Sequence, residues 1–555
     1  MSYKWTVILL WLSHMKLAYS RLEFDEDRLH VGVSFPFSFP GFDYDFSSAL
    51  VVSTLQSILD IGKLRDPPLH PFVKNESNGT SIPPACPLRN PTPHEALFDI
   101  KYHLYDTQWS RTRASRSALD FGFGIVEGNT PPMNVVVGAA LDDSTRNMAN
   151  ILALMDTVQV GPLSLGDELT NKRDFPYLVR TVSGQGSLGH ELLDYMVHFQ
   201  WRGANGLYED TTYGLAIRTG LLDAAQAAGR VTDLFLFPWG IGFSADWETT
   251  THIEVAKIVD SWKSEHKLIF FIVESDPWYG AEIRRALLTH GIQSPRYQYV
   301  TTYSTVIQSN ERTFENHTNW HGYQLAVRTE QASLQTYLDT WHALTPDLVT
   351  SLFNETGISN WSDPPAMVTI SEEAFAADPP FFATNLNVAA GFCMIFNAFN
   401  DMLHAGQSPK DIQGPALKEA ILNVSIEAYG GVYKFDVNQD TSAGGDLCYL
   451  DRSNDGFVWV PFALRTAVGE LDGKIEMYPD FPDGPVWATG THGLLPPIEL
   501  RGCDPGWMFI QNQSDPDDLG SCVECPGGMY SPSYNSRSCE TCLGGYFSGA
   551  RSFGC

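Results

Sequence analysis

The residues of this chain that come nearest to a known chemistry lie between Phe175 and Gly214. They read FPYLVRTV, GQGSLG, HELLDYMVHFQW and RGANGLYEDTTYG. That order predicts strand, glycine-rich turn, amphipathic helix and strand, one βαβ unit in about 40 residues. Leu192, Leu193, Met196, Val197 and Phe199 make the apolar stripe of the helix. Gly184, Gly186 and Gly189 match G-x-G-x-x-G, whose glycines let a backbone approach a pyrophosphate. Glu209 and Asp210 follow about 20 residues on, where an acid meets a ribose hydroxyl.

The context argues against a nucleotide. A fingerprint strand runs deep in a parallel sheet and is nearly all apolar, whereas this one ends in Arg180 and Thr181. The alternative is a glycine-rich crossover whose helix N-terminus offers free N–H groups to an anion such as a carboxylate, with Ser183, Gly184 and Ser187 around it. Gln185-Gly-Ser187-Leu-Gly189 lacks the first glycine of a nucleophile elbow. His190-Glu191-Leu-Leu-Asp194 has Asp where a zincin places its second His, so His190 and Glu191 are expected on the solvated first turn of the helix. The paired acids Asp142-Asp143 and Glu372-Glu373 fall in loops or at helix starts, where capping and solvation account for them. No acid–base constellation stands out, and no catalytic residue, cofactor or metal is expected.

The elements around this stretch alternate. Leu29 to Phe35 and Phe98 to Tyr105 read as strands, and Ser110 to Phe121 as a helix. Met133 to Ala139 (MNVVVGA) is nearly all apolar, the mark of a strand buried on both faces of a parallel sheet. Helix Asp143 to Met155 follows it. Beyond the central stretch come helix Tyr213 to Ala228, strand Thr232 to Phe237, helix His252 to His266, strand Lys267 to Glu274, helix Tyr279 to His290 and strand Tyr297 to Thr302. Trp320 to Leu344 reads as a crossover with a helix; Asn385 to His404 and Pro415 to Val424 are helical, and Gly430 to Asp436 is a strand. A helix is also expected around Ser47 to Leu59, and exposed loops at 67–94 and 354–380, rich in proline. The pattern is α/β. Two such halves joined by more than one crossover predict a cleft between lobes, with ligands at the carboxyl ends of the strands.

At 555 residues the chain is too long for one ordinary core. A net charge of −29 excludes nucleic acid and an anionic membrane surface as partners. Residues 1–20 hold Lys4, the apolar run Trp5 to Leu12 and Ala18-Tyr19-Ser20, which fits a secretory signal peptide. No later run reaches the ~18 apolar residues of a spanning helix. Sequons at Asn75, Asn78, Asn316, Asn354, Asn360, Asn423 and Asn512 favour the secretory route and an extracellular or cell-surface location.

Of the cysteines, Cys86, Cys393 and Cys448 are scattered and six crowd into residues 503–555. There the stretch Cys522-Val-Glu-Cys525-Pro-Gly-Gly-Met-Tyr-Ser recurs as Cys539-Glu-Thr-Cys542-Leu-Gly-Gly-Tyr-Phe-Ser. In an oxidising compartment this spacing suits a disulfide ladder better than a zinc ribbon. The disulfide candidates are Cys503, Cys522, Cys525, Cys539, Cys542, Cys555, Cys393 and Cys448. Cys555, ending the chain about one period on, suggests a break within a repeat, with a membrane segment expected only beyond it. The repeat resembles the cysteine-rich modules of ephrin-receptor type found in stalks of cell-surface proteins.

The sequence DELTNKRDFPYLVRTV, the helix closing in Phe199-Gln-Trp201 and GLYEDTTYG resemble the extracellular ligand-binding region of class C G-protein-coupled receptors and natriuretic-peptide-type receptors. LHVGVSF, LKEAILNVSI and GGVYKFDVNQD resemble it as well, in the right order over roughly residues 28–480. The resemblance implies a two-lobed type 1 periplasmic-binding-protein fold that closes on a small-molecule ligand, often as a homodimer through lobe 1. It implies ligand contacts at Ser164 and the Ser183-to-Ser187 turn, and from lobe 2 at Asp210, Tyr213, Phe237 and Trp239. Gly161-Pro-Leu-Ser-Leu-Gly166 replaces the family's serine-rich motif, and Ser183 stands where a proline is usual.

The organisation expected is therefore a signal peptide at 1–20, a bilobed receptor ligand-binding region at 21–500 and a cysteine-rich repeat region at 501–555. The function expected is ligand sensing in an interlobe cleft, with lobe closure as the signal. A secreted solute-binding module without signalling and an α/β enzyme are the alternatives.

Overall fold

The computed structural model describes residues 28–37, 54, 85–123, 132–201, 203–231, 234–239, 252–258, 269–273, 277–290, 297–302, 306, 319–325, 331–345, 347, 382–436, 438–441, 445–451, 458–468, 472–497, 503, 506–510, 521–532, 536–543, 548–552 and 554. The expected signal peptide, most of the helix expected at Ser47 to Leu59, Cys555 and every sequon except Asn423 lie outside the described residues. The chain divides into two compact units. One takes residues up to 184 with 327–443, and the other takes 185–326 with 444–555.

The first unit is built on five parallel strands: β1 (His30–Phe35), β2 (Lys101–Asp106), β3 (Val135–Gly138), β4 (Val158–Gly161) and β5 (Leu178–Arg180). Their order is β2-β1-β3-β4-β5. The apolar runs HVGVSF and VVVG are buried throughout, as two-sided packing of a parallel sheet requires. Helices α1 (Arg111–Phe123) and α2 (Asp142–Ala153) supply the crossovers after β2 and β3.

In the second unit, β6 (Ala204–Glu209), β7 (Leu234–Trp239), β8 (Ile269–Val273), β9 (Gln298–Thr301) and β10 (His321–Leu325) run parallel in the order β10-β9-β8-β6-β7. Helix α3 (Gln185–His198) precedes β6, α4 (Thr212–Ala227) follows it, and α5 (Pro277–Thr289) joins β8 to β9.

Two long helices return to the first unit's core. After α6 (Ala332–His342), α7 (Phe382–His404) is buried from Asn385 to Asn400 and packs with β1, β3 and β4. Asn385–His404 is apolar and long enough to cross a membrane by length and composition, although its core, Val388 to Phe399, reads as too short in sequence; 94% of its most apolar 18-residue stretch is buried inside the protein. Its asparagines serve a different purpose. Asn397 accepts from the amide of Arg89 at 2.7 Å and donates to Pro87 O at 3.2 Å, while Asn400 accepts from the amide of His94 at 2.8 Å. Cys393, one turn before Asn397 on α7, is joined to Cys86. The described end of the proline-rich stretch, expected as an exposed loop, is thus clamped along a helix. Asn423, the C-cap of α8 (Gly414–Leu422), is exposed. A hairpin of β11 (Ser425–Ala428) and β12 (Gly431–Lys434) completes this unit.

The last strands extend the second unit's sheet: β13 (Gly445–Asp451), β14 (Val458–Val468) and β15 (Asp472–Met477) add to β10 in antiparallel order. In the tail, β16 (Trp507–Ile510) pairs β17 (Ser521–Glu524), and β18 (Met529–Tyr530) pairs β19 (Glu540–Thr541). Disulfides join Cys503 to Cys522 and Cys525 to Cys539, and Cys542 is also disulfide-bonded, so a ladder rather than a zinc ribbon holds the repeats. Two assignments change. Cys448, taken as a disulfide candidate, is a free thiol buried in β13, and Cys86, absent from the candidates, is bonded.

The stretch from Phe175 to Gly214 is not a βαβ unit. β5 is the edge of one sheet and β6 lies in the other, so α3 carries the chain between units instead of back into the same sheet. Its glycines answer to helix packing. A Cβ on Gly189 would stand 2.3 Å from Ile217 O and Leu221 N of α4, and one on Gly220 would stand 2.1 Å from Gly186 O. Gly186, Gly189 and Gly220 let two helix backbones touch.

Candidate functional site

Each sheet brings a set of the expected ligand residues together at the carboxyl ends of its strands. In the first unit they gather around Arg180, the last residue of β5, which is fully buried. Its Nη1 donates to Ser164 O at 3.2 Å and Gly166 O at 2.8 Å. Nη2 donates to Thr170 Oγ1 at 2.7 Å and to Asp440, and Nε donates to Asp440 Oδ1 at 2.8 Å. The backbone adds two bonds: Arg180 N to Gln439 O at 3.0 Å and Thr441 N to Arg180 O at 2.9 Å. One strand-end arginine therefore fastens the loop after β4 and the segment 438–441.

Ser164 sits on the first of these fastened pieces, and Ser183, in the turn after β5, bonds the second. The Ser164 hydroxyl is fully buried, shared with Thr145 Oγ1 and 3.3 Å from Ala139 O. Ser183 Oγ, half-buried, donates to Thr441 O at 3.2 Å, and the Thr441 hydroxyl is buried without a partner among the described residues. At Gly184 a Cβ would meet Asp167 Oδ1 at 2.9 Å, Thr170 Oγ1 at 3.2 Å and Arg180 Nη2 at 3.3 Å. A side chain here would have to push the Asp167 carboxylate aside. Lys172 also reaches Asp440, at 3.3 Å. Burial pulls its ammonium down to about 8, against the opposing pull of Asp440. Asp142 accepts from Gly166 N at 2.9 Å, and burial holds its carboxyl above the ordinary range.

In the second unit Asp210, Tyr213 and Trp239 gather at the ends of β6, β7 and β9. Glu209 pairs in register with Trp239, and Asp210 N donates to Trp239 O at 2.7 Å. The Asp210 side chain is exposed. Thr211 caps α4 by accepting from Gly214 N at 3.3 Å, which turns Tyr213 back toward the strand ends. Its hydroxyl meets Thr302 Oγ1, just past β9, at 3.2 Å. The Trp239 indole is buried and its Nε1 has no partner among the described residues. Phe237, two residues earlier on the same face of β7, packs beside it. Ser187 is half-buried in the first turn of α3.

Sequence reasoning missed Thr302, Thr441 and the Arg180–Asp440 pair. A lone arginine at the end of a buried strand was the available signal, because such a charge must find a carboxylate. It misplaced Glu191, which is buried rather than solvated. Hydroxyls, an indole N–H and one exposed carboxylate can hold a polar ligand by hydrogen bonds. Among the described residues, no three His, Cys, Asp or Glu side chains gather as a metal site needs.

The sequence profile of the receptor family ligand binding region matches residues 93–446, more than half of the chain. Among the relatives, taste receptor type 1 member 2 of Canis lupus familiaris is 29% identical over 105 residues, 19% of this chain and 12% of that protein. The Mus musculus protein of the same name is 33% identical over 84 residues, 15% of this chain and 10% of its own length. The metabotropic glutamate receptor of Drosophila melanogaster is 28% identical over 135 residues, 21% of this chain and 14% of its own. The matched stretches thus span only about a tenth to a seventh of these relatives.

Proposed function

The chain belongs to the receptor family ligand binding region, and on that footing we propose that it is the extracellular, ligand-sensing part of a cell-surface receptor. It binds a small molecule and does not turn one over. The observation that carries this reading is the family match over 93–446, which takes in the carboxyl ends of the parallel strands of both units except those of β1.

The ligand is held by Ser183 and Gly184 of the first unit, with the fully buried Ser164 fixing the loop behind them, and by Ser187, Asp210, Tyr213, Phe237 and Trp239 of the second. Hydroxyls, amides and the indole N–H suit an acid group, Asp210 suits an amine, and the aromatic pair suits an apolar stem, which together describe an amino-acid-like ligand. Binding draws the two lobes closed, and that closure is the signal. Pairing of two copies through the first lobe, an ephrin-receptor-like character for the cysteine repeats and a glycan on the exposed Asn423 belong to the same reading.

Thermal-shift measurements on the full chain against L-amino acids, glutamate among them, and small anions test it. A ligand present at about 100 times its Kd stabilises the folded state by about 2.7 kcal/mol, and Asp210→Ala, at an exposed side chain, should abolish the shift without lowering the basal melting temperature. If no amino acid or anion moves the transition, the amino-acid-like assignment fails.

A further inference from the structure

Helix α3 is the first element of the second unit, and partway along it two carboxylates converge on one buried arginine. Arg465 of β14 donates Nε to Asp194 Oδ2 at 2.8 Å and brings Nη2 to 2.7 Å from the same oxygen. The amide of Gly473 in β15 adds a further donor to it at 3.2 Å. A side chain at position 473 would meet Arg465 Nε at 2.3 Å, so glycine leaves the guanidinium its room. Glu191 has the poorer contact, Oε1 to Arg465 Nη1 at 3.4 Å. Its carboxylate also lies 3.8 Å from where a Cβ on Gly445 would stand, the first residue of β13. Its main-chain carbonyl accepts from Tyr323 Oη at 2.6 Å. The cluster therefore ties the middle of α3 to β14, β15 and β10, and it lies beside the first residue of β13.

The charges do not balance. Two acids share one arginine, and the three side chains are 10%, 13% and 8% exposed for Glu191, Asp194 and Arg465. With both acids ionised the cluster carries an uncompensated negative charge out of water, which is expensive unless a proton removes it. The groups around Glu191 are Arg465 of β14, Asp194 and Tyr195 of its own helix and Tyr323 of β10, with His190 beside Asp194. Lys474 of β15 is exposed and paired with Glu476, which leaves Arg465 as the cation in contact. Helix α4 meets a different face of α3, through Gly186 and Gly189. Asp194 has three donors, so Glu191 is the acid left to hold the proton. Burial, opposed by Arg465 and reinforced by Asp194, pushes its carboxyl up to about 7.

We propose that Glu191 is a proton switch of the second unit: the cluster is tightest with Glu191 protonated and loosens as the pH rises past neutrality. The inference stands apart from the ligand reading. A carboxyl raised on folding contributes stability that is fully present below the ordinary glutamate range and is lost as the pH climbs through its folded value.

Chemical denaturation of the full chain, wild type against Glu191→Gln, tests this, because the amide is a permanent stand-in for the protonated acid. Between about pH 5 and pH 7 the wild-type folding equilibrium should fall by up to about tenfold per pH unit more than that of the variant. Equal slopes would overturn the proposal. Should the variant not fold, hydrogen exchange of the wild-type chain decides it. After correction for intrinsic rates, peptides covering 185–198 and 458–477 should lose about tenfold or more in protection between about pH 6 and pH 8. Unchanged protection there would also overturn it.

Discussion

Arg180 matches its five N–H donors to five acceptors: Ser164 O, Gly166 O, Thr170 Oγ1 and both oxygens of Asp440. A guanidinium does this because its donors lie in one fixed plane, which a lysine ammonium cannot copy. Arg180→Lys should therefore destabilise the protein, and Arg180→Met more so, since Asp440 would keep Lys172 and a long bond from Thr170 against its buried charge. Removing one partner of such a pair costs about 3–5 kcal/mol, read as a lower denaturation midpoint. A midpoint unchanged in both variants would refute the role given to this arginine. The sequence showed Arg180 as an oddity at the end of an apolar strand. It could not show Asp440, 260 residues away, because ion pairing across a fold leaves no spacing to read.

At the scale of elements, the glycines of GQGSLG carry the same lesson in a different form. The G-x-G-x-x-G spacing is also what two helices need to touch, since Gly186 and Gly189 are one turn apart on one face of α3. The motif was legible, and its meaning depended on which sheet the following strand entered. Gly189→Ala and Gly220→Ala give a clean test because two effects oppose each other. Alanine favours a helix over glycine by about 1 kcal/mol. Here, however, the new methyl would sit 2.1–2.3 Å from backbone atoms of the neighbouring helix. No rotamer change relieves a clash with main chain, and forcing helices apart costs about 1–3 kcal/mol or more. Both variants should lower the melting temperature despite their better helix propensity. A stabilised variant would show that α3 and α4 are not in backbone contact. Most elements up to β9 were readable within a few residues, since buried parallel strands such as VVVG announce themselves by composition, whereas β4 (VQVG) passed unnoticed because it is short and carries a buried Gln159, and β10 and β13 to β15 were not read as strands.

For the molecule as a whole, alternation of strands and helices was enough to give the α/β class and two halves, because each period reports burial locally. What it left open was every long-range partner. The disulfides divide along that line. Cys503–Cys522 and Cys525–Cys539 close loops of 19 and 14 residues within a visible repeat, while Cys86–Cys393 spans 307 residues and neither end lies in a motif. That long bridge continues the row of Asn397 and Asn400 on α7 that holds residues 86–94. Cross-links over long loops remove the most freedom from the unfolded chain, and losing a native one costs about 2–5 kcal/mol. The double variant Cys86→Ala with Cys393→Ala keeps the tail ladder intact and isolates this contribution. Its denaturation midpoint should fall accordingly. Hydrogen exchange should quicken first in the peptide containing 86–94, since only non-covalent ties, the asparagine bonds with those of Arg89 and Thr92, then hold that segment. If the segment keeps its protection and the midpoint stays where it was, the asparagine row is sufficient and the bridge adds nothing to the first unit.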